Sequence, residues 1–183
     1  MKKAMLILFT LVVVTGLANG QGKYLTSHGS IVFYSHTAIE DITAENTEVG
    51  SVIDAEKGEV AVIVKMMAFQ FEKKLMQEHF NENYVESEKF PKARFNGKML
   101  NNNEVDYSSD GEYMVRVEGE LTIHGVTNRI SAEGTIEIKH GTLTARTKFM
   151  LNPEDYGIRV PSVVRKNIAE EMEIRVNLEL QPI

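Results

Sequence analysis

The chain has 183 residues, a formal net charge of −6, 43% hydrophobic residues and neither cysteine nor tryptophan. Without cysteine there is no disulfide and no thiolate metal site, so the fold must rest on its apolar core. The acidic balance argues against nucleic acid or an anionic membrane surface as a partner, because both reward clustered lysine and arginine.

Lys2 and Lys3 open the chain, an apolar run covers residues 4–14, and small residues lead to Gly20. A basic start, a short apolar core and small residues before a cut make a secretory signal peptide, residues 1–20. The run is about half of the roughly 20 residues that a bilayer crossing needs, so no stable membrane anchor is expected. Cleavage after Gly20 leaves residues 21–183 as one domain and, by removing two lysines and no acid, moves the charge to −8.

From there, period-two alternation predicts strands at residues 30–35, 49–54 and 59–66. In the third, Val60, Val62, Val64 and Met66 share one face. Ala61 and Ile63 make the other face partly apolar, so this strand is expected to be covered on both sides. The stretch AFQFEKKLMQEHF breaks the pattern. Phe71, Leu75 and His79 are spaced by four, as are Glu72, Met76 and Phe80, which predicts an amphipathic helix over residues 70–81. A link ending at Pro91 leads to a strand at 92–100, then to clear alternation at 113–123, 130–139, 143–151 and 172–180. Turn signals separate them, among them Glu56-Lys57-Gly58, Asn101-Asn102-Asn103 and His140-Gly141. Pro161 opens a second helix or ordered loop, around residues 161–169.

About eight alternating strands with little helix predict an all-β fold, an antiparallel sheet closed on itself. A barrel of that strand number is either filled by its own side chains or holds one small ligand. Gly97, Gly119, Ala132, Gly134 and Ala145 fall on interior faces. Small residues there either leave room for a cavity or relieve strand bending.

The residues offer no catalytic constellation and no cofactor motif. His28, His36, His79, His124 and His140 form neither a His-x-His pair nor a His-Glu-x-x-His helix, so no metal site is expected. Gly-x-Ser-x-Gly is absent, as is a Gly-rich phosphate loop. His124-Gly125 lies where two alternating runs meet. Glycine admits a positive backbone angle there, which makes the joint a strand connection and His124 a surface turn residue.

GELTIHGVTNRI (residues 119–130) and FPKARF (residues 90–95) resemble two signature stretches of the YceI-like family. So does LMQEHFNENYVESEKFPKARF as a whole, and DYGI (residues 155–158) before a closing alternating strand matches the family's tail. The resemblance runs in order over most of residues 24–183. It implies an eight-stranded, lipocalin-like barrel with one short inserted helix, exported to the periplasm. It also implies a binding protein rather than an enzyme, one that sequesters or carries a long isoprenoid or other amphiphilic lipid. One departure lies between Thr37 and Glu59, where AIEDITAENTEVGSVID replaces the Gly-x-Phe common after the family's first strand.

For the wall of such a pocket the candidates are Phe33, Phe69, Phe71, Leu75, Met76, Phe80, Phe95, Val115, Val117, Leu121, Ile136, Phe149 and Ile174. Ordinary core is the alternative for each, since cores and apolar pockets share a composition. His124, Arg159, Arg165 and Lys166 are candidates to meet a phosphate or carboxylate headgroup, with a solvated loop as the alternative. Two further readings stand beside the carrier. One is a ligand-free periplasmic adaptor whose side-chain-filled barrel binds a protein through its exterior. The other is an enzyme or metal protein, which requires His36, His79 or His124 to converge.

Overall fold

The computed structural model describes residues 22–183. The expected signal peptide, residues 1–20, lies outside the described residues. Alternating residues build eight long strands: β1 Lys23–His36, β2 Asp41–Asp54, β3 Glu59–Lys65, β5 Lys92–Met99, β6 Gly111–Ile123, β7 Val126–Lys139, β8 Thr142–Leu151 and β9 Met172–Pro182. A two-residue strand, β4 Gln70–Phe71, and a short helix, α1 Lys74–His79, fall between β3 and β5. The sheet runs β1-β9-β8-β7-β6-β5-β3-β2, and the pairing of β1 with β2 closes it into an antiparallel barrel. β4 adds to the rim of β2, with Ala44 opposite Phe71. Closure leaves no long unpaired edge to recruit another chain.

Alternation sorts the residues as the pattern requires. Ile136, Ile138, Leu143, Leu178 and Leu180 are buried inside, while Glu133, Glu137, Arg146, Lys148 and Glu173 face water. Outward charges pair across strands, Arg116 with Glu133, Arg129 with Glu118 and Arg146 with Glu137. Exposed pairs of this kind contribute about 0–1 kcal/mol each.

The barrel has a floor and a mouth. At the floor, where β1 and β6 begin, Tyr24, Ile53, Met99, Val105 and Leu143 are buried and Tyr24 lies 6.0 Å from Tyr107, ring to ring. The Tyr107 hydroxyl donates to Asn102 Oδ1 at 2.7 Å, and Asn102 Nδ2 donates to the Ala55 carbonyl at 2.7 Å, tying the loops beneath the floor together. The mouth carries the long connections, residues 66–91 and 152–171.

Three expectations are corrected here. The helix is shorter than residues 70–81, because Gln70 and Phe71 are drawn into pairing with β2 and the turn after His79 widens to a π form, with Val85 N–H donating to the Phe80 carbonyl. The outer face of β3 is bare: Ala61 is exposed and Ile63 is 44% exposed. Residues 161–169 take the second of their two expected forms, an ordered loop of turns, with Val164 N–H on the Pro161 carbonyl and Asn167 N–H on the Val164 carbonyl. β2 extends eight residues further toward the mouth than 49–54, because its polar residues there still pair with β1.

Candidate functional site

The interior is not filled. Two apolar chambers lie along the barrel axis, a lower one of about 190 Å³ and an upper one of about 300 Å³. Met66, Phe69, Ile123, Leu151 and Ile174 border both, so the chambers abut. Ile174 is on β9 opposite Phe33 and Phe149, which places it at the junction.

The upper chamber owes its wall to an aromatic cluster assembled from four elements. Phe33 of β1, Phe69, Phe71 of β4 and Phe80 after α1 bring their ring centroids within 5.1–5.7 Å in five pairings. Met76 of α1 and Val160, Val164 and Ile168 of the loop before β9 complete it. The lower chamber is lined by Phe95, Val115, Val117, Leu121, Ile136 and Phe149, with Ala132 and Ala145 among them. Twelve of the thirteen wall candidates therefore border a chamber. Leu75 does not. It is 61% exposed, because on so short a helix Met76 and the rim residue His79 take the inward side.

The small interior residues divide in their effect. Gly97 and Gly119 face each other across β5 and β6, and a Cβ at either position would meet Cζ of Phe95, at 2.4 and 2.8 Å. The tip of the Phe95 ring thus takes up the space those glycines vacate. Ala132 and Ala145 carry no such cover and leave the lower chamber its width.

None of the basic headgroup candidates borders a chamber. Arg159 and Lys166 are exposed, and Arg165 turns outward to Glu154 at 2.7 Å. In the loop 157–169 it is Val160, Val164 and Ile168 that turn inward, leaving Val163 and the charged ends in water. His124 does another task. Together with Gly125 it forms a two-residue hairpin loop with φ of 51° and 78°, the positive angles that a type I′ turn demands. Its side chain is 14% exposed, with Nδ1 3.2 Å from the Tyr156 carbonyl and Nε2 2.7 Å from Glu86 Oε2. Phe90 packs edge-on against it at 4.4 Å and covers Gly125. His124 is therefore a turn residue but not a surface one: it latches the segment before β5 and the turn after β8 to the β6–β7 hairpin.

Ser35, Glu40, His79 and Asn167 are the polar residues bordering the upper chamber at the mouth, and of these sequence patterning singles out only His79. Glu40 ends the β1–β2 turn, where the Thr37 hydroxyl accepts from the Glu40 and Ile39 N–H groups at 3.0 and 3.2 Å. Its carboxylate accepts from Asn167 Nδ2 at 3.1 Å and from Lys73 Nζ at 3.2 Å. The Asn167 amide, and after it the Lys73 ammonium, hold the Glu40 carboxyl below its usual range. Ser35 Oγ accepts from Ala169 N–H at 2.8 Å. Among the described residues no three His, Asp or Glu side chains gather in a group able to hold a metal ion. No described helix is long and apolar enough to cross a membrane.

The same architecture occurs in solved structures. A polyisoprenoid binding domain from Saccharophagus degradans, implicated in plant cell wall breakdown, superposes with a TM-score of 0.77 at 12% identity, covering 89% of this chain and 99% of that one. BcnA of Burkholderia cenocepacia gives 0.65 at 12% identity, over 83% and 95% of the two chains. The YCEI protein of Campylobacter jejuni gives 0.61 at 14% identity, over 79% and 86%. At such identities these likenesses concern the fold. No curated protein matches the chain. The model of the YceI-like domain matches residues 23–180, the whole barrel from β1 to β9, and the chain belongs to that family.

Proposed function

We propose that this protein binds a long apolar chain, an isoprenoid or similar amphiphilic lipid, inside its barrel and carries or stores it after export to the periplasm. The observation that carries the reading is the pair of abutting apolar chambers, with Ser35, Glu40, His79 and Asn167 bordering the upper one at the mouth. The two chambers count against the side-chain-filled barrel that the adaptor reading requires. The polyisoprenoid named for the Saccharophagus degradans domain supports the ligand class, and the basic, apolar, small-residue order of residues 1–20 supports export.

The energetics suffice without strong polar contacts. About twenty buried carbons at about 0.8 kcal/mol each supply on the order of 16 kcal/mol. Association and ordering of a flexible chain remove about 4–15 kcal/mol. The difference spans weak to tight binding, which suits a carrier that must also release.

The test is to express the full chain, purify the exported protein, and extract it with organic solvent for mass spectrometry, with native mass spectrometry alongside. The expected result is one long-chain lipid per protein and a mature N-terminus at Gln21. An empty extract, together with no uptake of an added twenty-carbon isoprenyl alcohol, overturns the proposal.

A further inference from the structure

The mouth of the upper chamber carries an uneven set of charges. Among the described residues, no lysine or arginine borders that chamber, and Glu40 is its one carboxylate. The Glu40 side chain is 25% exposed and its ion-pair partner Lys73 62% exposed, and of the two only Glu40 borders the chamber. The position is built, not incidental. Thr37 locks the turn through its hydroxyl, and Asn167 and Lys73 reach Glu40 from the two long connections that wall the mouth. Arg159, Arg165 and Lys166, the basic residues the sequence offers for an anionic headgroup, border neither chamber.

We infer that Glu40 selects the headgroup: the protein takes an uncharged chain end that donates a hydrogen bond, such as an alcohol, and rejects the phosphate and diphosphate of the same chain. This rests on the reading that a lipid chain occupies the barrel. A carboxylate held by an amide and an ammonium still has lone pairs free to accept from a hydroxyl. A phosphate offers it only acceptors and like charge, and at an apolar mouth water screens that repulsion less than at the surface. His79, also on the rim, is exposed.

Binding of a twenty-carbon isoprenyl alcohol, its monophosphate and its diphosphate is measured by native mass spectrometry and isothermal titration calorimetry on protein expressed from the full chain. Wild type is expected to bind the alcohol at least tenfold more tightly than the diphosphate. Glu40→Gln is expected to narrow that ratio several-fold by strengthening diphosphate binding, and Glu40→Lys to invert it. Equal or tighter binding of the diphosphate by wild type overturns the inference while leaving lipid carriage standing. If none of the three binds and extraction is also empty, carriage itself falls, and headgroup selection with it. The wild-type comparison decides the matter even where a Glu40 variant fails to fold.

Discussion

Ala132→Phe is the sharpest probe of the hollow. Ala132 is 7% exposed, faces the barrel axis opposite Val117 and lines the lower chamber, which measures about 190 Å³. A dry cavity of about 150 Å³ is enough to take up benzene, so one added phenyl ring consumes most of this chamber. Where a core is already dense, inserted carbons cost about 1–3 kcal/mol through strain. Here the ring enters free space, and the expected change in stability lies at or below the bottom of that range. Six ring carbons displace about as many ligand carbons, which at about 0.8 kcal/mol each is a loss of about 5 kcal/mol in binding. At 1.4 kcal/mol per tenfold, affinity for the longest chains falls on the order of a thousandfold, while chains that fit the upper chamber alone are still taken. The assay is lipid recovered per protein, sorted by chain length, with the thermal midpoint measured in parallel. Ser131→Phe places the same ring one residue away on the water-facing side and serves as control. A folded Ala132→Phe protein that carries as much of the same long lipid as wild type refutes the placement of the chain in the lower chamber.

Two further outcomes follow from the contacts. His124→Ala removes a hydrogen bond to the Tyr156 carbonyl, one to the half-exposed Glu86 carboxylate and the Phe90 edge contact, and is expected to cost about 2–3 kcal/mol in urea unfolding. A change below about 0.5 kcal/mol, the range of ordinary surface substitutions, would show that the latch contributes nothing. Burial, reinforced by Tyr24, pushes the Tyr107 phenol well above its ordinary value of 10.0. The folded state therefore holds that proton more tightly than the unfolded chain does. The resulting stability is complete below about pH 10 and declines as pH rises beyond it. Urea midpoints from pH 8 to 11 should fall less steeply in Tyr107→Phe than in wild type, even though its neutral-pH stability is lowered by loss of the Asn102 hydrogen bond. Parallel slopes would remove Tyr107 as the source.

Much of the barrel is legible in the chain because strand periodicity is a local property. Tyr113, Val115, Val117 and Leu121 announce an inner face by their spacing alone, and β6 follows it residue by residue. His124-Gly125 announces a joint, since positive backbone angles at two successive residues select for such a pair. The same locality explains the failures. Phe71, Leu75 and His79 have helical spacing, yet Phe71 is extended because β2 offers it Ala44, 27 residues away in sequence, as a partner, and Leu75 is left in water. Ala61 and Ile63 look covered but meet only neighbours on their own sheet.

By itself the sequence determined the strands, their two faces, the closed antiparallel class and an interior lined by apolar residues, because each of these follows from side chains a few positions apart. Only the tertiary structure decided that the interior stays hollow, that Phe95 folds back over Gly97 and Gly119, and that Glu40, not an arginine, faces the mouth. Those facts depend on side chains meeting across the barrel from residues as distant as Glu40 and Asn167. No periodicity encodes such meetings; they arise when closure of the sheet brings the loops to one end.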